Sequence, residues 1–233
     1  YVTVGSGADE GVYYFDPSKT NPSFTKISGT VAAQYLAFSS ATKAYVSTYG
    51  GGIYTFNPSS PGSGLSGSPI SNTSTFTVQE LVVAGGYLYA ADNGHGAVLR
   101  IDPSDDSVKA TISTTKGGTT GLVAGTYDGT AGVFVANTGG YDGSWNPLPG
   151  SIDFIAASGS TATKVADAIT AGGSIYPARV VQLADGNLFA TGYGHTYRIA
   201  LSGATATTTE ASSSGASFGS LDIAYKDGLV YVP

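Results

Sequence analysis

Apolar and polar positions along the chain recur with a period of two in short runs, not at the spacing of a helix face. Such alternation predicts half-buried strands, and no stretch predicts an amphipathic helix. One phrase repeats: a run rich in aromatic and β-branched residues, a glycine-rich turn, a second run, and a turn built on Pro-Ser. It reads Tyr1-Val-Thr-Val-Gly then Gly11-Val-Tyr-Tyr-Phe-Asp-Pro-Ser18, and Tyr45-Val-Ser-Thr-Tyr-Gly then Gly52-Ile-Tyr-Thr-Phe-Asn-Pro-Ser59. A third copy is Tyr89-Ala-Ala-Asp-Asn-Gly then Gly96-Ala-Val-Leu-Arg-Ile-Asp-Pro-Ser104. Copies led by Phe134 and Phe189 are degenerate, with Ala156-Ala157 and Ala200-Leu201 where Asp-Pro stood, and a sixth opens at Tyr231.

The lead aromatics at 1, 45, 89, 134, 189 and 231 define five periods of about 46 residues. The third period holds four strand-like segments: Gln79–Ala84, Tyr87–Ala91, Ala97–Ile101 and Ser107–Ile112. Four strands per period of ~40–50 residues is the pattern of a β-propeller blade. The expected fold is therefore all-β, with four-stranded antiparallel blades around an axis. Strands are lettered A to D from that axis outward. Small or aliphatic runs (Leu36–Phe38, Leu81–Val83, Val180–Leu183, Leu221–Ala224) suit crowded A strands, and the aromatic-small alternation suits B strands. Asp-Gly and Gly-Gly pairs supply the positive φ of tight A–B hairpins, and Asp-Pro-Ser or Asn-Pro-Ser closes the C–D turns.

Composition narrows the field. The chain has 233 residues, of which 41% are hydrophobic, 11% charged and 34 are glycine. A net charge of −6, with basic residues scattered singly, argues against a surface that tracks phosphates, and so against nucleic acid. No run approaches the roughly 20 apolar residues of a membrane-spanning helix. Absence of cysteine removes disulfides, thiolate nucleophiles and Cys-based metal sites. The sequence also has no methionine and opens inside a strand, which reads as a processed or partial chain.

Tyr1-Val-Thr-Val, Tyr89-Ala-Ala-Asp-Asn-Gly, Ile101-Asp-Pro-Ser and Val108-Lys-Ala-Thr-Ile resemble the YVTN-type propeller repeats of bacterial and archaeal surface and periplasmic proteins. They are also similar to NHL repeats and to lactonase-like propellers. The resemblance spans the chain and implies a single propeller domain over 1–233 with an extracellular, cell-surface or periplasmic location. Both ends fall in strand B, so the chain reads as a window of a six- to eight-bladed ring in preference to a closed five-bladed one. A terminal strand completing a neighbour's sheet is the third reading.

In this topology the B–C and D–A connections share one face, and they hold the candidate site residues: Tyr49, Asp92, Asn93, His95, Asn137, Tyr141, Trp145, Tyr193 and His195. The fourth B–C loop, 138–150, carries the insertion that lengthens one period, together with the only tryptophan. It is either a ligand-binding loop or a lid folded over the blade edge. A metal held by the two histidines with Asp92 or Asp9 finds no supporting spacing, and solvent-exposed turn histidines are the expectation. Asp92 is expected to cap its turn, and Asp102–Asp106 to be a solvated turn lacking the ligand pattern of an EF-hand. Glu80 and Asp222 lie on or beside A strands, where they can face the channel. Elbow, phosphate-loop and zinc-protease motifs are missing.

These features favour a non-catalytic scaffold whose loop face binds a protein or glycan partner or self-assembles, with no cofactor. The alternatives are a lactonase-like hydrolase with a metal at the channel mouth and a structural subunit of a fibre or surface layer.

Overall fold

The computed structural model describes residues 1–29, 31–48, 50–169, 172–211 and 222–232. Apart from one short 3₁₀ turn at Pro61–Ser63, its regular elements are antiparallel strands. A first sheet contains β1 (Val2–Val4), β2 (Gly11–Tyr14) and β3 (Thr25–Lys26), and a second contains β4 (Ala33–Ser40), β5 (Lys43–Thr48) and β6 (Ile53–Phe56). Three sheets are complete and four-stranded. They are β7 (Val78–Ala84) to β10 (Ser107–Ser113) through β8 (Tyr87–Asp92) and β9 (Ala97–Asp102); β11 (Thr119–Tyr127), β12 (Thr130–Asn137), β13 (Ser151–Ala156) and β14 (Thr163–Ala166); and β15 (Arg179–Gln182), β16 (Leu188–Gly192), β17 (His195–Ser202) and β18 (Thr205–Glu210). A hairpin of β19 (Ala224–Lys226) and β20 (Leu229–Tyr231) follows.

The innermost strands β4, β7, β11, β15 and β19 adjoin one another in chain order, which is the arrangement of propeller blades about an axis. The expected propeller architecture is thus present, with two local departures. In the second repeat the outer strand is reduced to a single bridge between Phe56 and Leu65. Pro58, Pro61 and Pro69, with Gly62, Gly64 and Gly67 between them, deny that segment the donors and stiffness of a ladder. The last A strand begins at Ala224, not Leu221; Asp222 and Ile223 lie outside it, and Leu221 lies outside the described residues.

The lead aromatics of the second, third and fourth repeats fill the wedges between blades, as their alternation predicts, whereas Tyr1 and Tyr231 at the two ends are exposed. Tyr45, Tyr89 and Phe134 are fully buried, each on a B strand and each in a separate apolar cluster shared by neighbouring sheets. Full burial of such a side chain contributes about 1.5–3 kcal/mol, so the aromatic phrase that marks the repeat also supplies much of its cohesion. Turn chemistry also follows the sequence. Asp102 Oδ1 accepts the backbone N–H (2.9 Å) and the hydroxyl (2.7 Å) of Ser104. Asp128 and Asp227, each preceding glycine in an A–B turn, have φ of 46° and 53°, the left-handed values those hairpins need.

Candidate active site at the channel mouth

Register places the chemistry. The lead aromatics Tyr45, Tyr89, Phe134, Phe189 and Tyr231 pair with Ala37, Val82, Val123, Val181 and Ala224 on the adjoining A strands. Two residues upstream of these partners stand Tyr35, Glu80, Gly121 and Arg179, each on its A strand, and Asp222, just before the last one. Equal offsets from equivalent pairs put these five in one layer about the axis, near the start of the A strands. That is the face where the D–A and B–C connections emerge. Single-residue irregularities between Ala33 and Leu36, Val78 and Glu80, and Thr119 and Gly121 occur at this level in three successive A strands. Bulges of this kind re-aim side chains.

Three members of the layer meet. Arg179, on the fifth sheet and only 5% exposed, donates from Nη1 to the carbonyl oxygens of Thr120 (2.7 Å) and Ala178 (2.9 Å), and from Nη2 to the hydroxyl of Tyr35 on the second sheet. Its guanidinium carbon lies 5.0 Å from the centre of the Tyr35 ring. Its Nε–H donates to no acceptor and stands 3.9 Å from Glu80 Oε2. That same Glu80 oxygen accepts the backbone N–H of Leu122 at 2.7 Å. Gly121 is the layer's bare position: a Cβ there would lie 2.6 Å from the Ala178 carbonyl oxygen and 3.0 Å from Arg179 Cα, so glycine lets the Arg179 strand approach.

Glu80 is the group whose chemistry this arrangement changes most. Burial raises its pKa to about 7, Arg179 and the Leu122 N–H pull it back, and the carboxylate of Asp222 adds to the rise. Its side chain still keeps 23% of its surface open, so it can exchange protons with solvent. A carboxyl group that gains and loses its proton near neutrality, beside a buried guanidinium, suits general acid–base work.

The residues expected on the loop face fall into three groups. Asp92 is fully buried, accepts the N–H groups of Thr77 (3.1 Å) and Gly94 (3.2 Å), and holds His95 Nδ1 at 2.6 Å, which makes it the cap of its turn; Asn93 N donates to Thr77 O. Asn137 is also buried, between Thr119 Oγ1 (2.9 Å) and Ser151 Oγ (3.0 Å). His195 Nδ1 lies 2.6 Å from Glu210 Oε1, with its ring stacked on Tyr197, whose hydroxyl burial pushes up to about 12. Tyr141, Trp145 and Tyr193 form a separate exposed group: the Tyr141 ring is 6.0 Å from Trp145 and 5.9 Å from Tyr193. Trp145 is 81% exposed and does not fold over the blade edge. Tyr49 lies outside the described residues, as do residues 212–217 of the last Ser-rich D–A loop.

The two histidines sit on different sheets, each beside its own carboxylate. Among the described residues no group of three or more His, Asp or Glu side chains converges to hold a metal ion. The donor set at the channel mouth, two carboxylates with a guanidinium between sheets, does not fit one either.

Sequence reasoning reached Glu80 and Asp222 but missed Tyr35 and Arg179. The A-strand partner lies at a different distance along the chain from its lead aromatic in different hairpins, so the layer emerges only once each A strand's register is known.

No protein-family model matches the sequence, and no curated protein does. Solved structures match in fold. A streptogramin B lyase superposes with a TM-score of 0.64 at 16% identity, over 85% of this chain and 60% of that one. Virginiamycin B lyase from Staphylococcus aureus gives 0.60 at 17%, over 82% and 59%, and a gluconolactonase from Xanthomonas campestris 0.54 at 13%, over 78% and 63%. In the Staphylococcus lyase, replacing one histidine by alanine gives a catalytically inactive form, solved with quinupristin. The chain spans about three fifths of the length of these proteins. These neighbours overturn the expectation of a non-catalytic scaffold and the leaning against an enzyme: the propellers named above are enzymes.

Proposed function

We propose that the chain is part of a lactonase-like propeller enzyme that opens a cyclic ester at the channel mouth. The observation that carries this reading is the shared layer of Tyr35, Glu80, Arg179 and Asp222 at one register position. Ionised Glu80 takes a proton from water as the water oxygen adds to the ester carbonyl carbon. The Arg179 guanidinium, 3.9 Å from Glu80, supplies fixed positive charge beside the carbonyl oxygen as negative charge gathers on it. The ring C–O bond then breaks, Glu80 returns its proton to the departing alkoxide, and a hydroxy acid leaves. Tyr35 holds the guanidinium in place.

The YVTN-like phrases and sparse charge support an exported propeller of the surface or periplasmic type, which fractionation of the source cells tests. Hydrolysis of δ-gluconolactone and of an aromatic lactone, followed by acid release, tests the activity. The expected result is turnover above the spontaneous rate, rising as pH passes through about 7 because the base must be ionised. Glu80→Gln is expected to lower kcat by about 100-fold or more. A variant as active as the parent, or a rate flat across that pH range, contradicts the assignment.

A further inference from the structure

We infer that Tyr141, Trp145 and Tyr193 form a stacking subsite for a pyranose ring on the same face as the channel mouth. The rings belong to B–C loops of two successive sheets, those of β11–β14 and β15–β18, so the corner spans the seam between them. Tyr141 and Trp145 are inclined at 53°, and Tyr193 closes the corner edge-on at 75°.

The support is rigid. Tyr141 bridges to Pro147 across the hairpin, Leu148 N donates to Gly140 O (2.9 Å), and Trp145 N donates to Asp142 O (3.0 Å). Asp142 Oδ1 accepts the N–H groups of Ser144 (2.8 Å) and Asn146 (2.9 Å). Trp145 and Tyr193 stand at φ of 63° and 49°, a left-handed backbone state that is strained for a bulky residue. That strain sits at two positions whose rings form the corner. Packing does not account for it at Trp145, whose indole is 81% exposed.

Area and chemistry select the occupant. Fully open aromatic side chains of this kind present about 150–250 Å² each. At 81%, 45% and 39% exposure, with Leu148 at 42%, the patch offers a few hundred Å². One partner of a standard protein interface contributes about 800 Å², so the corner suits a ligand of one or two rings. In loop 138–150 the only charged residue is Asp142, whose carboxylate is engaged within the hairpin; the rest of the rim is Gly, Ser, Thr, Asn and Pro. A sugar ring matches this setting. Its C–H face carries the partial positive charge that the negative face of an aromatic ring attracts, and its hydroxyls meet the polar side chains and backbone groups of loop 138–150.

The inference deepens the catalytic reading by giving the substrate a sugar-bearing body, yet binding is measured without turnover. Trp145 is the sole tryptophan among 16 tyrosines, so emission excited beyond the tyrosine absorption band reports this corner alone. The purified protein is titrated with cellotriose, maltotriose and chitotriose, and with sorbitol, which has hydroxyls but no ring face. At least one trisaccharide is expected to shift the emission saturably, with a dissociation constant of about 1 mM, while sorbitol does not. Tyr141→Ala is expected to weaken that binding about tenfold, and Phe24→Ala, at an exposed ring on the first sheet, to leave it unchanged. No saturable shift with any trisaccharide, an equal response to sorbitol, or Tyr141→Ala binding as tightly as the parent overturns the subsite; so does a shift produced only by an aromatic peptide. Sugar binding without lactone hydrolysis leaves the subsite standing and removes the catalytic reading, and the converse removes only the subsite.

Discussion

Single residues here divide sharply between those that hold loops and those left with chemistry to do. Asp92 has no exposed surface and satisfies two backbone N–H groups and a histidine, so its carboxylate is spent on structure. Asp92→Ala is expected to cost about 2–4 kcal/mol in denaturant unfolding, because it orphans buried donors, while activity of the folded fraction persists; an unchanged midpoint contradicts that role. The capping Asp was legible in the sequence, since a short acidic side chain before Asn-Gly at a strand end has few other uses. Arg179 was not. Its value lies in reaching Tyr35 on the second sheet, 144 positions away in the chain, and no local pattern encodes that contact.

At the scale of elements, the repeat phrase was readable because B strands must alternate large and small residues to fill the wedge between blades. Where proline and glycine crowd, as between Pro58 and Pro69, the period persisted but the outer strand did not form. Glycines at close approaches carry the remaining information. A Cβ on Gly192, at the end of β16, would lie 2.3 Å from the Tyr176 carbonyl oxygen and 2.5 Å from the Ala178 nitrogen, in the segment that delivers Arg179. Gly192→Ala is therefore expected to destabilise the protein by about 1–3 kcal/mol and to impair turnover through displaced Arg179. Gly143→Ala, where a Cβ meets nothing within 4 Å, is expected to stay within about 0.5 kcal/mol of the parent. Equal unfolding midpoints for the two variants contradict the close-packing account.

Across the whole molecule, successive A strands turn a one-dimensional repeat into a row of equivalent positions about the axis, and the protein fills that row with unlike side chains: a phenol, a carboxyl, a bare glycine, a guanidinium and a second carboxylate. Sequence repetition builds the frame, and departure from repetition at one level supplies the site. That departure is invisible to a search for recurring phrases, which is why the frame was legible and the layer was only half seen. This convergence sets the electrostatics of Glu80. The chain has three glutamates, so side-chain carboxyl carbons observed by NMR across a pH titration resolve each one. In the parent protein Glu80 is expected to titrate near 7, and in Arg179→Met higher still, since the guanidinium favours the ionised form. Titration of Glu80 near 4.5, unmoved by loss of Arg179, would mean that the layer does not converge and that the channel mouth is not an active site.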